Sequence, residues 1–188
     1  MSLVVCVCGE YFSIIMGDSR MISLSDNEIV DENIQKVLQL NDNVAIGFTG
    51  DPIPTSLALQ ELDNYNVKFL TLERIKRIMI NKLKEITPND LGVKIIFTGK
   101  NKSGKYVIYV ADSERNYEAE LLFAPHGSIA YALAGRNEEV CRQVLERNLF
   151  NKRWTRREDL ENSMAKCIKD VAQIDNSVNT NICKVVIK

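Results

Sequence analysis

Two apolar runs separated by a two-residue polar break open the chain, and they restrict its fold more than any other feature. Leu3–Cys8 (LVVCVC) and Tyr11–Met16 (YFSIIM) flank Gly9-Glu10, and each is too short for a core helix. A short apolar run bounded by turn residues, rich in β-branched and aromatic side chains, reads as a buried strand. Paired across Gly9-Glu10, the two form a hairpin. A strand apolar at every position needs cover on both faces, so further layers must lie above and below it.

The rest of the chain supplies those layers. A second strand pair, 35–40 (QKVLQL) and 44–49 (VAIGFT), is joined by Asn41-Asp42-Asn43, a turn signal. Gly50-Asp51-Pro52 then opens a helix, with Asp51 as N-cap and Pro52 at the first helical position. Leu72, Ile75, Ile78, Met79, Leu83 and Ile86 recur at helical spacing and predict an amphipathic helix over 71–86. Strands follow at 93–98, 105–110 and 117–123, then helices at 136–149 and 156–173, then a last strand at 181–187. Thr155 and Glu158 are spaced as a capping box for the second of those helices. Strands arriving in groups with helices in pairs predict an α+β fold: a four-layer αββα sandwich of two mostly antiparallel sheets. No repeat or linker divides residues 1–188, which reads as one domain.

Charge and cysteine content narrow the function classes. The formal net charge is −1, so no basic field favours nucleic acid or an anionic membrane. No apolar run has the length of a transmembrane helix, and no secretory leader is evident. Five cysteines, none in a CxxC pair, fit free buried thiols in a cytoplasmic protein. Cys6-x-Cys8 with the single histidine, His126, is poor zinc spacing, so neither metal nor cofactor is expected.

One histidine leaves little material for a Ser–His–Asp triad. An N-terminal serine needs none, because its own α-amine, with a pKa of about 8, can act as the base. Ser2 heads the first strand. Gly17-Asp18-Ser19-Arg20 ends the second, Lys36 heads the third, and Gly50 ends the fourth beside a helix N-terminus. Hairpin geometry predicts that residues 2, 18, 36 and 50 share one sheet edge. Each also has an ordinary reading: a turn, a surface lysine, a glycine that makes room for a helix.

GDSRM (17–21), ENIQKVLQL (32–40) and NVAIGFTGD (43–51) together resemble the N-terminal half of proteasome β-type peptidases and of the peptidase of the bacterial ATP-dependent two-component protease. The resemblance implies the N-terminal nucleophile hydrolase fold, ring-like homo-oligomers, an ATP-dependent unfoldase partner, and hydrolysis of peptide bonds through an acyl-enzyme. It places Ser2 at the nucleophile, with Asp18 and Arg20 in the aspartate motif, Lys36 at the lysine, and Gly50 at the oxyanion glycine. GSIAYALAG (127–135) resembles the segment leading into a later helix, which implies Ser128 as the partner of the terminal amine. DVAQIDNSVNTNICKVVI (170–187) resembles the helix-to-last-strand passage, which implies a role for Asp175, followed here by Ser177. The alternative is a catalytically silent member of the fold acting as a structural subunit. Serine replaces threonine, a retained Met1 would turn the Ser2 nitrogen into an amide, and Met-Ser-Leu resembles a vector-derived leader. A small-molecule amidase on the same fold is a third reading.

Overall fold

The computed structural model describes residues 2–23, 26, 28–86, 92–150, 154 and 156–188. Strands β1 (Leu3–Cys8) and β2 (Ser13–Asp18) form the first hairpin, in register Val4↔Gly17 to Cys8↔Ser13. A small ribbon follows, β3 (Met21–Ile22) with β4 (Ile29–Asp31). Next come β5 (Val37–Asn41), β6 (Val44–Thr49), α1 (Pro52–Gln60) and α2 (Leu72–Ile86). Then β7 (Lys94–Lys100), β8 (Tyr106–Asp112) and β9 (Glu120–Phe123) run antiparallel. The chain ends with β10 (Ala130–Gly135), α3 (Glu138–Phe150), α4 (Arg157–Ala172) and β11 (Ile182–Ile187).

Two antiparallel sheets result, one ordered β10-β1-β2-β11 and the other β5-β6-β7-β8-β9. Alternation along β1 explains the four layers. Leu3, Val5 and Val7 pack with Leu145, Leu160, Met164 and Ile168 of α3 and α4. Val4, Cys6 and Cys8 point the other way, against Ala45, Ile96 and Ile108 of the second sheet. The opposite face of that second sheet, through Ile46, Ile95 and Phe97, takes the apolar stripe Leu72, Ile75, Met79 and Leu83 of α2. Every residue of β1 is buried, as an all-apolar central strand requires.

Several boundaries differ from the sequence expectation. The first turn is longer, with the Gly9 amide donating to the Phe12 carbonyl at 3.0 Å, and β2 therefore starts at Ser13. The strand expected at 117–123 begins only at Glu120, because Asn116 and Tyr117 take φ of 49° and 55°, left-handed conformations that interrupt a strand. Residues 130–135, read as the approach to a helix, form β10, which pairs with the whole length of β1. Asp51 caps α1 as expected, accepting from the Ile53 amide at 2.9 Å, with Pro52 in the first turn. At α4 the capping carboxylate is that of Asp159, which accepts from the Arg156 amide at 3.0 Å; Thr155 and Met1 lie outside the described residues.

Candidate active site

Asp18 closes β2 opposite the start of β1, and its carboxylate is wholly buried. A buried carboxylate must have its lone pairs satisfied. Here Oδ1 accepts from the Leu3 amide at 2.7 Å, and Oδ2 accepts from the Arg20 amide at 2.9 Å and the Asn179 amide at 3.4 Å. Lys36, immediately before β5, adds its ammonium at 2.9 Å from both carboxylate oxygens. A third donation goes to the Arg20 carbonyl. The three N–H bonds of the ammonium thus have three acceptors, and what it presents to a neighbouring hydroxyl is charge. Burial lowers the Lys36 pKa below its ordinary value, while the Asp18 carboxylate opposes that fall.

Ser2 sits one residue from the amide that Asp18 holds, and only 7% of its surface is exposed. Ser2, Lys36 and Gly50 line one small, shallow recess together with Met21, Ile34, Phe48 and Pro52. Gly50 has φ of +92°, and a Cβ there would fall 2.3 Å from the Gly92 carbonyl oxygen. Only glycine fits that close approach. The expectation of one sheet edge needs correcting. Ser2 and Asp18 belong to the first sheet and Lys36 and Gly50 to the second, so the recess lies where the two sheets end together.

Arg20 turns away from the recess. Its guanidinium clasps Glu32 through Nε at 3.1 Å and Nη2 at 2.9 Å, and Nη1 donates to the Asn176 carbonyl at 2.6 Å. Only its backbone touches Asp18 and Lys36.

Ser128 is not brought to the site. β10 runs antiparallel to β1, pairing Cys8 with Ala130 and Leu3 with Gly135. Ser128 therefore lies at the Cys8 end, roughly 20 Å from Ser2 by strand rise, with its hydroxyl donating to the Pro125 carbonyl at 2.7 Å. The end of β10 that does reach Ser2 is Gly135: a Cβ there would meet the Ser2 carbonyl oxygen at 3.0 Å. The misplacement follows from reading β10 as a helix approach, which moved the segment by a full strand length.

Asp175 is tied to the chain two residues beyond Gly135 and does not line the recess. Its Oδ2 accepts from the Asn137 side-chain amide at 3.1 Å, and its Oδ1 accepts from the Ser177 amide at 2.8 Å and the Ser177 hydroxyl at 2.6 Å. Burial raises the Asp175 pKa, but Ser177, Asn137 and the Arg136 charge together hold it below its ordinary value.

Other nucleophiles and metal ligands fall away. Burial pushes the Cys6 thiol well up and the Cys8 thiol to about 11, so neither is a thiolate near neutrality. His126 is 90% exposed and pairs with Glu10 at 3.0 Å, at the end of the sandwich remote from Ser2. Among the described residues no three His, Cys, Asp or Glu side chains converge as a metal site. Glu32 and Asn179 went unnoticed in the sequence. The Asn179 amide nitrogen donates to Glu32 Oε2 at 2.6 Å and to the Glu32 carbonyl at 3.1 Å, while its oxygen accepts from the Ser19 amide at 3.1 Å. The only sequence signal was a run of asparagines, 176, 179 and 181, ahead of β11.

Two antiparallel sheets between helix pairs, with strand ends of both sheets delivering a serine, an aspartate, a lysine and a glycine to one recess, define an αββα sandwich of the N-terminal nucleophile hydrolase type. The chain belongs to the proteasome subunit family, whose family model matches residues 2–187. It is similar in fold to the crystal structure of eukaryotic HslV from Trypanosoma brucei, with a TM-score of 0.67 over 98% of each chain at 16% identity. No curated protein matches it.

Proposed function

We propose that this chain is a proteasome-like N-terminal nucleophile hydrolase that cleaves peptide or amide bonds through an acyl-enzyme on Ser2. The observation that carries the reading is the buried Lys36–Asp18 pair beside Ser2. Burying two charges is costly, and well-packed apolar residues of similar volume would serve a purely structural contact as well or better. A fixed ammonium next to a hydroxyl instead lowers the proton affinity of the developing alkoxide.

In this scheme the Ser2 α-amine takes the hydroxyl proton as Oγ bonds to the substrate carbonyl carbon. The Gly50 amide holds the oxyanion. The protonated amine then gives its proton to the leaving nitrogen as the C–N bond breaks, and water repeats the sequence to release the acid. Asp18 holds Lys36 in place, and Asp175 supports the neighbouring strand end through Asn137. As in the family the chain resembles, we place it as a single-domain, cytoplasmic subunit of a homo-oligomer with an ATP-dependent unfoldase as partner. No described helix is long and apolar enough to cross a membrane.

One observation favours the silent alternative. The Asp18 carboxylate is also committed to three backbone amides, a role that would hold β1, β2 and the 179 segment together without any chemistry. The deciding experiment is the intact mass of protein beginning at Ser2, with and without a β-lactone or epoxyketone probe. One adduct per chain is expected, abolished by Lys36→Ala. A chain that takes up no adduct overturns the hydrolase reading in favour of the structural one.

A further inference from the structure

We infer that Asn179 and Glu32 are positioning residues that hold the Arg20 carbonyl against the Lys36 ammonium. The inference rests on the reading of Lys36 as part of a hydrolase site. Its geometry spans three segments that are distant in sequence: the end of β2, the loop ahead of β5, and the approach to β11.

Asn179 is 6% exposed, and both ends of its side-chain amide are used. The oxygen accepts from the Ser19 amide at 3.1 Å and the Asn181 amide at 3.2 Å. The nitrogen donates to the Glu32 carbonyl and carboxylate. Glu32 in turn receives the Arg20 guanidinium in a two-point clasp, at 2.9 Å and 3.1 Å. A planar fork of this kind fixes direction as well as distance. The Ser19 hydroxyl donates to the Glu32 carbonyl, and the Ile34 amide donates to the Ser19 carbonyl at 2.8 Å. Residue 20 is therefore held on both flanks: Ser19 by Asn179 and Ile34, and its own side chain by Glu32. Its carbonyl, the third acceptor of Lys36, is thereby aimed at the ammonium.

That carbonyl decides where the ammonium points. With Asp18 alone, Lys36 could swing about one carboxylate; with the carbonyl added, the nitrogen is fixed among three oxygens on the recess wall shared with Ser2. The charged groups facing Lys36 are Asp18 from β2, Arg20 just beyond it and Glu32 from the loop, and the Cys183 thiol on β11 is the other titratable group there. Glu32 is itself held below its ordinary pKa, first by the Arg20 hydrogen bond and then by Asn179, so it remains an anion where the clasp needs one.

Asn179→Ala and Glu32→Gln both test this. A hydrogen bond to the charged form of a group favours that form. Losing the carbonyl should therefore lower the Lys36 titration midpoint, read from the lysine ε-carbon NMR signals of probe-free protein. Labelling of Ser2 at neutral pH should slow ~10–100-fold, with its pH profile moving in the same direction, since small misplacements at a reacting centre cost that much. Glu32→Gln keeps the side-chain volume at a half-exposed position and reports even if Asn179→Ala does not fold; because it also removes an anion that faces Lys36 and so lowers the midpoint by charge alone, its deciding readout is the labelling rate at neutral pH. A lowered melting temperature with an unchanged Lys36 midpoint and labelling profile would overturn the inference, because that is what a merely structural clasp gives. A wild-type chain that takes no probe would overturn the hydrolase reading alone, and the Lys36 midpoint would still decide the role of the clasp.

Discussion

Taking Lys36 and Asp18 out of water is tolerable only because every oxygen and every N–H of the pair meets a partner. That completeness was half legible in the sequence. Asp18, Lys36 and Gly50 could be picked out because each sits at the end of an apolar run, where strand geometry fixes its place. Glu32 and Asn179 could not, because they are 147 positions apart and only the tertiary fold brings them together. Asp175 gives a test at this scale. Its carboxyl is held below its ordinary value of 3.8, so in that range the unfolded chain binds more protons than the folded one. Its contribution to stability is complete above the ordinary value and is lost as the pH falls through the folded value. Asp175→Asn should remove its share of this loss. Urea unfolding between about pH 2 and pH 5 should show a shallower acid slope in the variant; an unchanged slope would show that Asp175 is not held down in the fold.

Strand β10 is the element that sequence patterning failed to show. Its residues, AYALAG, are rich in alanine, a strong helix former, and helix α3 follows after only Arg136 and Asn137. Propensity is overruled because β1, buried on both faces, needs a hydrogen-bonding partner on each side, and β2 covers only one. The contact between the sheets was equally hidden. Gly47, in the middle of β6, faces the first sheet without room for a side chain: an added Cβ would meet Val4 Cγ1 at 2.7 Å and Ile15 Cδ1 at 2.8 Å. Nothing in the local pattern VAIGFT separates this glycine from a residue of no consequence. Gly47→Ala should therefore wedge β6 away from β1 and β2, at a cost of about 1–3 kcal/mol. Denaturant unfolding would register the loss, and a variant as stable as wild type would mean that Val4 and Ile15 repack freely.

At the scale of the whole molecule, the sandwich leaves apolar surface that its own layers do not cover. Helix α1 buries Pro54, Thr55 and Ala58 and turns Ile53 and Leu57 outward, 65% and 40% exposed. Four positions apart, the two lie on one helix face. Helix α1 begins at Pro52, two residues after Gly50, and Pro52 lines the recess with Ser2. Apolar side chains exposed side by side offer a docking surface, and a second copy of the chain is the partner that the homo-oligomeric reading supplies. Sedimentation should then give a particle heavier than the 21.3 kDa chain. Ile53→Glu with Leu57→Glu should shift it toward the single-chain mass, because a carboxylate carried into an apolar contact loses its hydration without gaining a partner. Both side chains already face solvent, so the variant's melting temperature at the single-chain mass should fall only by what the lost contact supplied. A wild-type chain that sediments as a monomer would remove both the interface and the ring assembly inferred from the family. A particle unmoved by the double change would keep the assembly and place its contacts on another face.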